Sequence, residues 1–239
     1  MSTVSFGGQP ASSAYVNPTH LSAVAPGLPA GTLNTVQVSN GQSSGSLVNG
    51  WMADFTDVPQ SSQYHGDVEK IFRDGITAGC GLGNFCASQS VKRSEMAVFL
   101  LKGKHGAGYV PPPCSGIFVD VACTPVPAFA VNWIEELFNE SITGGCNPGK
   151  YCPDQPTTRA QMAVLLLKAK HGSAYTPPPC TGIFSDVPCS PVPAFAVDWI
   201  EELSLEGITA GCGGGKYCPD QPVPREQMAT FLVRTFSLP

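Results

Sequence analysis

Ile142-Thr-Gly-Gly-Cys-Asn-Pro-Gly-Lys-Tyr-Cys-Pro-Asp-Gln-Pro-Thr-Thr-Arg-Ala-Gln-Met-Ala-Val-Leu-Leu-Leu-Lys168 changes character halfway along. Its first half, closed at either end by Cys146 and Cys152, carries too much Gly and Pro for a helix and reads as a loop. Its second half opens on Thr158-Arg-Ala-Gln161, the pattern of a capping box, and places Met162, Leu165 and Leu166 at helical spacing. Lys168, Lys170, His171 and Gly172 then supply the basic last turn and glycine stop of a helix end. Upstream, Pro127-Ala-Phe-Ala-Val-Asn-Trp-Ile-Glu-Glu-Leu-Phe138 sets Phe129, Trp133 and Leu137 on one helical face, with Ile134 on its flank. The stretch is a helix-loop-helix.

That unit recurs. Cys80, Cys146 and Cys212 lie 66 residues apart, as do Cys86, Cys152 and Cys218, and then Arg93, Arg159 and Arg225. Met96, Met162 and Met228 share the period, and so do Ile76, Ile142 and Ile208. Self-similarity over such a period marks supersecondary units that cannot close a core alone. The third unit, from Pro193 to Phe236, follows the second closely, including Phe195 with Trp199. The first is looser, and Asp67 stands where the tryptophans fall. Tyr109-Val-Pro-Pro-Pro-Cys114 and Tyr175-Thr-Pro-Pro-Pro-Cys180 are stiff, extended connections.

Composition narrows the function. A net charge of -5 and a pI near 5.3 exclude nucleic acid and anionic membrane as main partners, since both call for a basic surface. No apolar run reaches the roughly 18 residues of a membrane span. Ten cysteines indicate an oxidising, secreted or cell-surface location. The first residues lack the basic and apolar regions of a signal peptide, which reads as a mature or shortened chain. The cysteines alternate in spacings of six and nine, so neighbour pairing predicts Cys80–Cys86, Cys114–Cys123, Cys146–Cys152, Cys180–Cys189 and Cys212–Cys218. Zinc is the competing reading, weakened by the lack of any C-x2-C knuckle and by only four His. Neither metal nor cofactor is expected.

Phe118-Val-Asp-Val, Trp133-Ile-Glu-Glu-Leu, Ile142-Thr-Gly-Gly and Tyr151-Cys-Pro-Asp-Gln-Pro-Thr-Thr-Arg-Ala-Gln-Met-Ala resemble, in order, the S-layer homology repeat. Phe55-Thr-Asp-Val-Pro and Phe184-Ser-Asp-Val-Pro open the first and third copies, and Lys92-Arg-Ser-Glu and Pro224-Arg-Glu-Gln stand where Thr158-Arg-Ala-Gln stands in the second. The resemblance covers residues 55–236. It implies a mainly α fold of three helix-loop-helix repeats in a pseudo-threefold arrangement, and non-covalent attachment to an often anionic cell-wall polysaccharide. The cysteines depart from the family pattern, and only one of the three tetrapeptides begins with Thr. Residues 1–54, rich in Ser, Gly and Ala, carry strand signals at Tyr15-Val, Leu21-Ser-Ala-Val and Thr35-Val-Gln-Val. They look like the later part of a TIG-type immunoglobulin-like domain, a small β segment with open edges. The expected division is 1–54 for that segment, 55–113 and 114–179 for two repeats with their connections, and 180–239 for the third.

Arg93, Arg159 and Arg225 are expected in the first turn of each second helix, where the macrodipole disfavours a cation by about 0.3–1 kcal/mol. Two explanations stay open: an anionic sugar group held by guanidinium and free N–H groups, or an ion pair with Asp57, Asp120 or Asp186 of a neighbouring unit. Trp133 and Trp199 are candidates for stacking on sugar rings or for the core. Glu95, Gln161 and Gln227 read as capping partners, and Glu135-Glu136 and Glu201-Glu202 as a solvated face. No carboxylate pair suits glycoside hydrolysis, and no Ser-His-Asp or Cys-His arrangement is supported, so no enzyme is expected. The leading reading is a non-catalytic attachment module for an anionic cell-wall polysaccharide. The alternative is a subunit of an extracellular filament or lattice, its partner a copy of itself, joined by strand exchange through the N-terminal segment.

Overall fold

Phe6-Gly7-Gly8-Gln9 reverses the chain in two residues, both at positive φ (57° and 79°), the backbone that a tight hairpin of this hand demands. It joins β1 (Thr3–Phe6) to β2 (Gln9–Asn17), and β3 (His20–Val24), β4 (Thr32–Ser39) and β5 (Ser44–Ala53) follow. All pairings are antiparallel, in the order β3-β2-β1-β4-β5. The computed structural model describes residues 2–124, 129–189 and 196–239. They fall into two units, Met1–Arg73 with Ala78–Ala87, and Asp74–Thr77 with Ser88–Pro239.

In the first unit the sheet is followed by α1 (His65–Arg73) and the disulfide loop Cys80–Cys86. Phe55, almost fully buried, meets Phe72 edge-on at 5.0 Å and Phe85 at 5.6 Å. The Asp57 carboxylate accepts from the N–H groups of Phe85 and Ala87 at 2.7 and 2.9 Å, fixing the loop to the segment that precedes α1.

The second unit holds α2 (Arg93–His105), α3 (Val131–Asn139), α4 (Arg159–His171), α5 (Val197–Leu205) and α6 (Arg225–Phe236). The capping box forms as the residues suggest: Gln161 N–H donates to Thr158 Oγ1, and Gln161 Oε1 accepts from Thr158 N–H. Glu95 likewise accepts from Lys92 N–H at 2.8 Å. Ahead of α2, α4 and α6 the chain forms a closed ring of backbone bonds. Thr157 N–H donates to Val91, Val223 N–H to Thr157 and Val91 N–H to Val223, at 2.8, 3.0 and 2.9 Å. All three residues are fully buried. From this ring the three helices pack on one another, while α3 and α5 pack on α2 and α4.

A mainly α fold is not what forms. The N-terminal residues build a five-stranded sheet, and the helices of the repeats stay at 9 to 13 residues because Gly, Pro and disulfide loops interrupt them. The first helix of the second repeat is also shorter than its apolar spacing predicts. Ala130 takes a left-handed conformation (φ 61°), α3 begins only at Val131, and Phe129 is 71% exposed. Pro127, Pro193 and Phe195 lie outside the described residues.

Candidate functional site

The three arginines are buried, each at the first position of its helix. Arg93 Nε donates to the Tyr151 carbonyl at 2.8 Å, and its guanidinium lies 4.8 Å from the centre of that ring. Arg159 repeats both contacts with Tyr217. Of the ion pairs with a neighbouring unit's carboxylate held open for them, Arg225 makes one, with Glu95, while the aspartates considered as partners accept from loop N–H groups. Asp120 accepts from Tyr151 and Cys152 N–H, and Asp186 from Tyr217 and Cys218 N–H, all at 2.8 Å. Burial acts to raise these carboxyls, but the backbone donors outweigh it and hold them below the usual range.

Beyond Nε the three differ. Arg159 Nη1 donates to Gln227 at 2.9 Å and Nη2 reaches Thr209 at 3.4 Å, with Phe231 5.6 Å away. Arg225 Nη1 pairs with Glu95 at 2.8 Å and Nη2 reaches Thr77 at 3.5 Å, with Phe99 5.3 Å away. Around Arg93 the 66-residue period supplies Gln161 and Thr143 as counterparts, but Leu165 stands where the others have Phe231 and Phe99. Among the described residues neither Nη of Arg93 has a hydrogen-bond partner. A groove of about 360 Å³ opens there, lined by Arg93, Thr143, Asn147, Gln161 and Lys168 over Val164 and Leu165. The smaller Leu165 leaves room that a phenylalanine fills at the other two junctions.

The groove carries two cationic side chains and no carboxylate in its lining, on a chain whose net charge is negative. Lys168 also sits 5.9 Å over the ring of Trp199, which places that tryptophan beside the groove. Trp133 and Trp199 are half-buried, each edge-on at 6.1 Å to a tyrosine of the preceding connection, Tyr109 or Tyr175. Those tyrosines donate to Glu136 and Glu202 at 2.7 and 2.8 Å.

Glu135 and Glu201 are not on a solvated face. Both are 3% exposed. Glu135 accepts from the N–H groups of Ser115, Gly116 and Ile117, and Glu201 from those of Thr181, Gly182 and Ile183. Burial acts to raise them, and these donors win, leaving both carboxyls below the usual range. The buried glutamates clamp the connections to α3 and α5, a role that two adjacent acids on a helix do not announce. The available signal was the recurrence of Cys114-Ser-Gly-Ile as Cys180-Thr-Gly-Ile, which repeats the donor loop with the period.

All five disulfides pair neighbours, with Cα atoms 5.9 to 6.0 Å apart. Among the described residues Asp120, Cys146 and Cys152 are close enough to consider for a metal, but the two sulfurs are bonded to each other and offer no thiolate. No helix among the described residues is long and apolar enough to cross a membrane.

Over 119 residues the chain is 26% identical to an endoglucanase of Bacillus sp. (strain KSM-635), a match that takes in 50% of this chain and 12% of that enzyme. Spanning so small a part of the relative, the chain takes no catalytic assignment from it. Residues 54–97, from the start of the Phe55-Thr-Asp-Val-Pro motif through the first disulfide loop into α2, match the S-layer homology domain.

Proposed function

We propose that the chain is a non-catalytic cell-surface attachment module, secreted or displayed outside the cell, that holds an anionic cell-wall polysaccharide in the groove beside Arg93. The domain match over residues 54–97 supports attachment. The observation that carries the ligand class is the pair of unpartnered Arg93 Nη groups in a groove shared with Lys168 and free of carboxylates. A guanidinium presents two parallel donors to a carboxylate or phosphate on a sugar, and Lys168 adds a second charge. Thr143, Asn147 and Gln161 supply hydrogen bonds for neighbouring hydroxyls, and Trp199 offers an apolar ring surface. Arg159 and Arg225, whose guanidinium groups are already bonded, serve to hold repeats together, as does Trp133 against Tyr109.

Co-sedimentation with purified wall polysaccharide, before and after chemical removal of its acidic substituents, tests the reading. The unmodified protein is expected to sediment with the acidic polymer alone, and Arg93→Gln to lose most of that retention under conditions where melting curves show it folded, its buried bond to the Tyr151 carbonyl being lost as well. Equal retention on neutral polymer, or by Arg93→Gln, overturns it.

A second reading, a filament or lattice subunit, is favoured by one observation: among the described residues the outer edges of β3 and β5 have no strand paired to them. Large particles forming in the absence of any polysaccharide distinguish it.

A further inference from the structure

Two Asn-Gly pairs lie in the N-terminal sheet, Asn40-Gly41 in the loop from β4 to β5 and Asn49-Gly50 within β5. Such a pair holds an intramolecular reaction in reserve. The glycine nitrogen, unshielded by any side chain of its own, sits one peptide bond from the asparagine's amide carbonyl, and proximity alone makes attack on it far easier than attack by a free amine.

The two pairs are set differently. Asn40 Oδ1 accepts from the Gln42 N–H at 3.0 Å, the Ser43 N–H at 2.8 Å and the Ser43 hydroxyl at 3.2 Å. An oxygen held by the N–H groups two and three residues onward folds its side chain back over the Gly41 amide that lies between. Gly41 takes φ 84°, and no other part of the chain crowds it. Its N–H donates to Ser39 Oγ at 3.3 Å, and the Ser39 hydroxyl donates in turn to the Ser43 carbonyl at 3.3 Å. Asn40 and Gly41 are both exposed, so water reaches them. Asn49 offers the same atoms without that setting. Among the described residues no donor reaches its side-chain carbonyl, its main-chain carbonyl is held by Arg73, and the Leu47 side chain crowds Gly50.

We infer that Asn40 is a self-modification site, at which the protein's own backbone converts the amide to a carboxylate. The Gly41 nitrogen, its proton passed to a solvent base, forms a bond to Asn40 Cγ. Negative charge gathers on Oδ1, where the Gln42 and Ser43 N–H groups are already aimed, as donors around a developing oxyanion must be. The Cγ–Nδ2 bond then breaks, and ammonia leaves with a proton from water. A succinimide ring remains. Water opens it at either carbonyl, giving aspartate or its β-linked isomer, and nothing is oxidised or reduced. Each event places a carboxylate within residues 2–53, which contain no Asp, Glu, Lys or Arg. The β-linked product also adds a methylene to the main chain of the loop that joins β4 to β5.

Peptide mapping by mass spectrometry of the full, disulfide-bonded chain, aged in mildly alkaline buffer, tests the inference. In the folded protein Asn40 is expected to convert at least about tenfold faster than Asn49, a fraction of what a fully enclosed pair of oxyanion donors gives. In urea, where the loop donors are lost and only the shared Asn-Gly sequence remains, the Asn40 rate is expected to fall and the two rates to converge. Both aspartate and its β-linked isomer are expected at residue 40. Conversion of Asn40 no faster than that of Asn49 in the folded chain, or faster in urea than in the folded chain, overturns the inference. So does a product that is aspartate alone, because direct attack by water on the side chain forms no ring.

Discussion

Arg159 and Tyr217 hold each other twice: Arg159 Nε donates to the Tyr217 carbonyl at 2.8 Å, and the Tyr217 hydroxyl donates to the Arg159 carbonyl at 2.8 Å. Both residues are buried, so a broken bond leaves a polar group without water. Arg159→Lys keeps the charge but loses the fork and the flat stack on the ring. Stability is expected to drop by about 2–3 kcal/mol, as for a buried charged hydrogen bond. Denaturant unfolding measures the loss, and retention on polysaccharide is expected to hold wherever the variant is folded.

Leu165 makes the opposite case. Placing a phenylalanine there restores what Phe99 and Phe231 do at the other junctions and fills the groove beside Arg93. Leu165→Phe is expected to reduce polysaccharide retention at least tenfold, about 1.4 kcal/mol of binding, with stability changed by less than about 1 kcal/mol because the added ring enters open space. Binding isotherms beside melting curves separate the two effects.

Thr157 stands fully buried in the backbone ring between Val91 and Val223, and among the described residues its hydroxyl has no hydrogen-bond partner. Thr157→Val swaps that group for a methyl of similar size. The variant is expected to be more stable by about 0.5–2 kcal/mol, the cost of an unsatisfied buried hydroxyl. A higher denaturant midpoint at unchanged slope is the readout.

Five carboxylates, Asp57, Asp120, Asp186, Glu135 and Glu201, lie below their usual values because backbone N–H donors outweigh the effect of burial. A carboxyl depressed in the folded state contributes stability above its unfolded value, here 3.8 for aspartate and 4.5 for glutamate, and that contribution is lost as pH falls through the folded value. The melting temperature is therefore expected to be level from neutrality to about pH 5 and to fall below about pH 4. Glu135→Gln is expected to lower the plateau and flatten the fall, which a pH series of melting curves shows.

What was legible in the sequence follows from range. Thr158 and Gln161 lie three residues apart, so the start of α4 could be read from one tetrapeptide. The disulfides close loops of six and nine residues, and their alternation was enough to pair them. The partner of Arg159 lies 58 residues onward in the next repeat, and the nearer aspartates, which suited it chemically, were already consumed by loop N–H groups. The sheet was underestimated because serines and apolar residues occur on both of its faces, Val24 opposite Ser12 on one and Ser13 opposite Ala23 on the other, which dilutes the apolar alternation that marks strands.

The ring of Val91, Thr157 and Val223 also sets an order of assembly. Val91 waits for a carbonyl 132 residues downstream, and Glu95 for an arginine 130 residues downstream. As the chain leaves the ribosome, the second repeat can join the first, but no repeat has both neighbours until the third has emerged. Contacts at such separation slow the final closure relative to the helices themselves. A chain that has not yet reached Val223 can thus close one junction at most, and the other two wait for the third repeat.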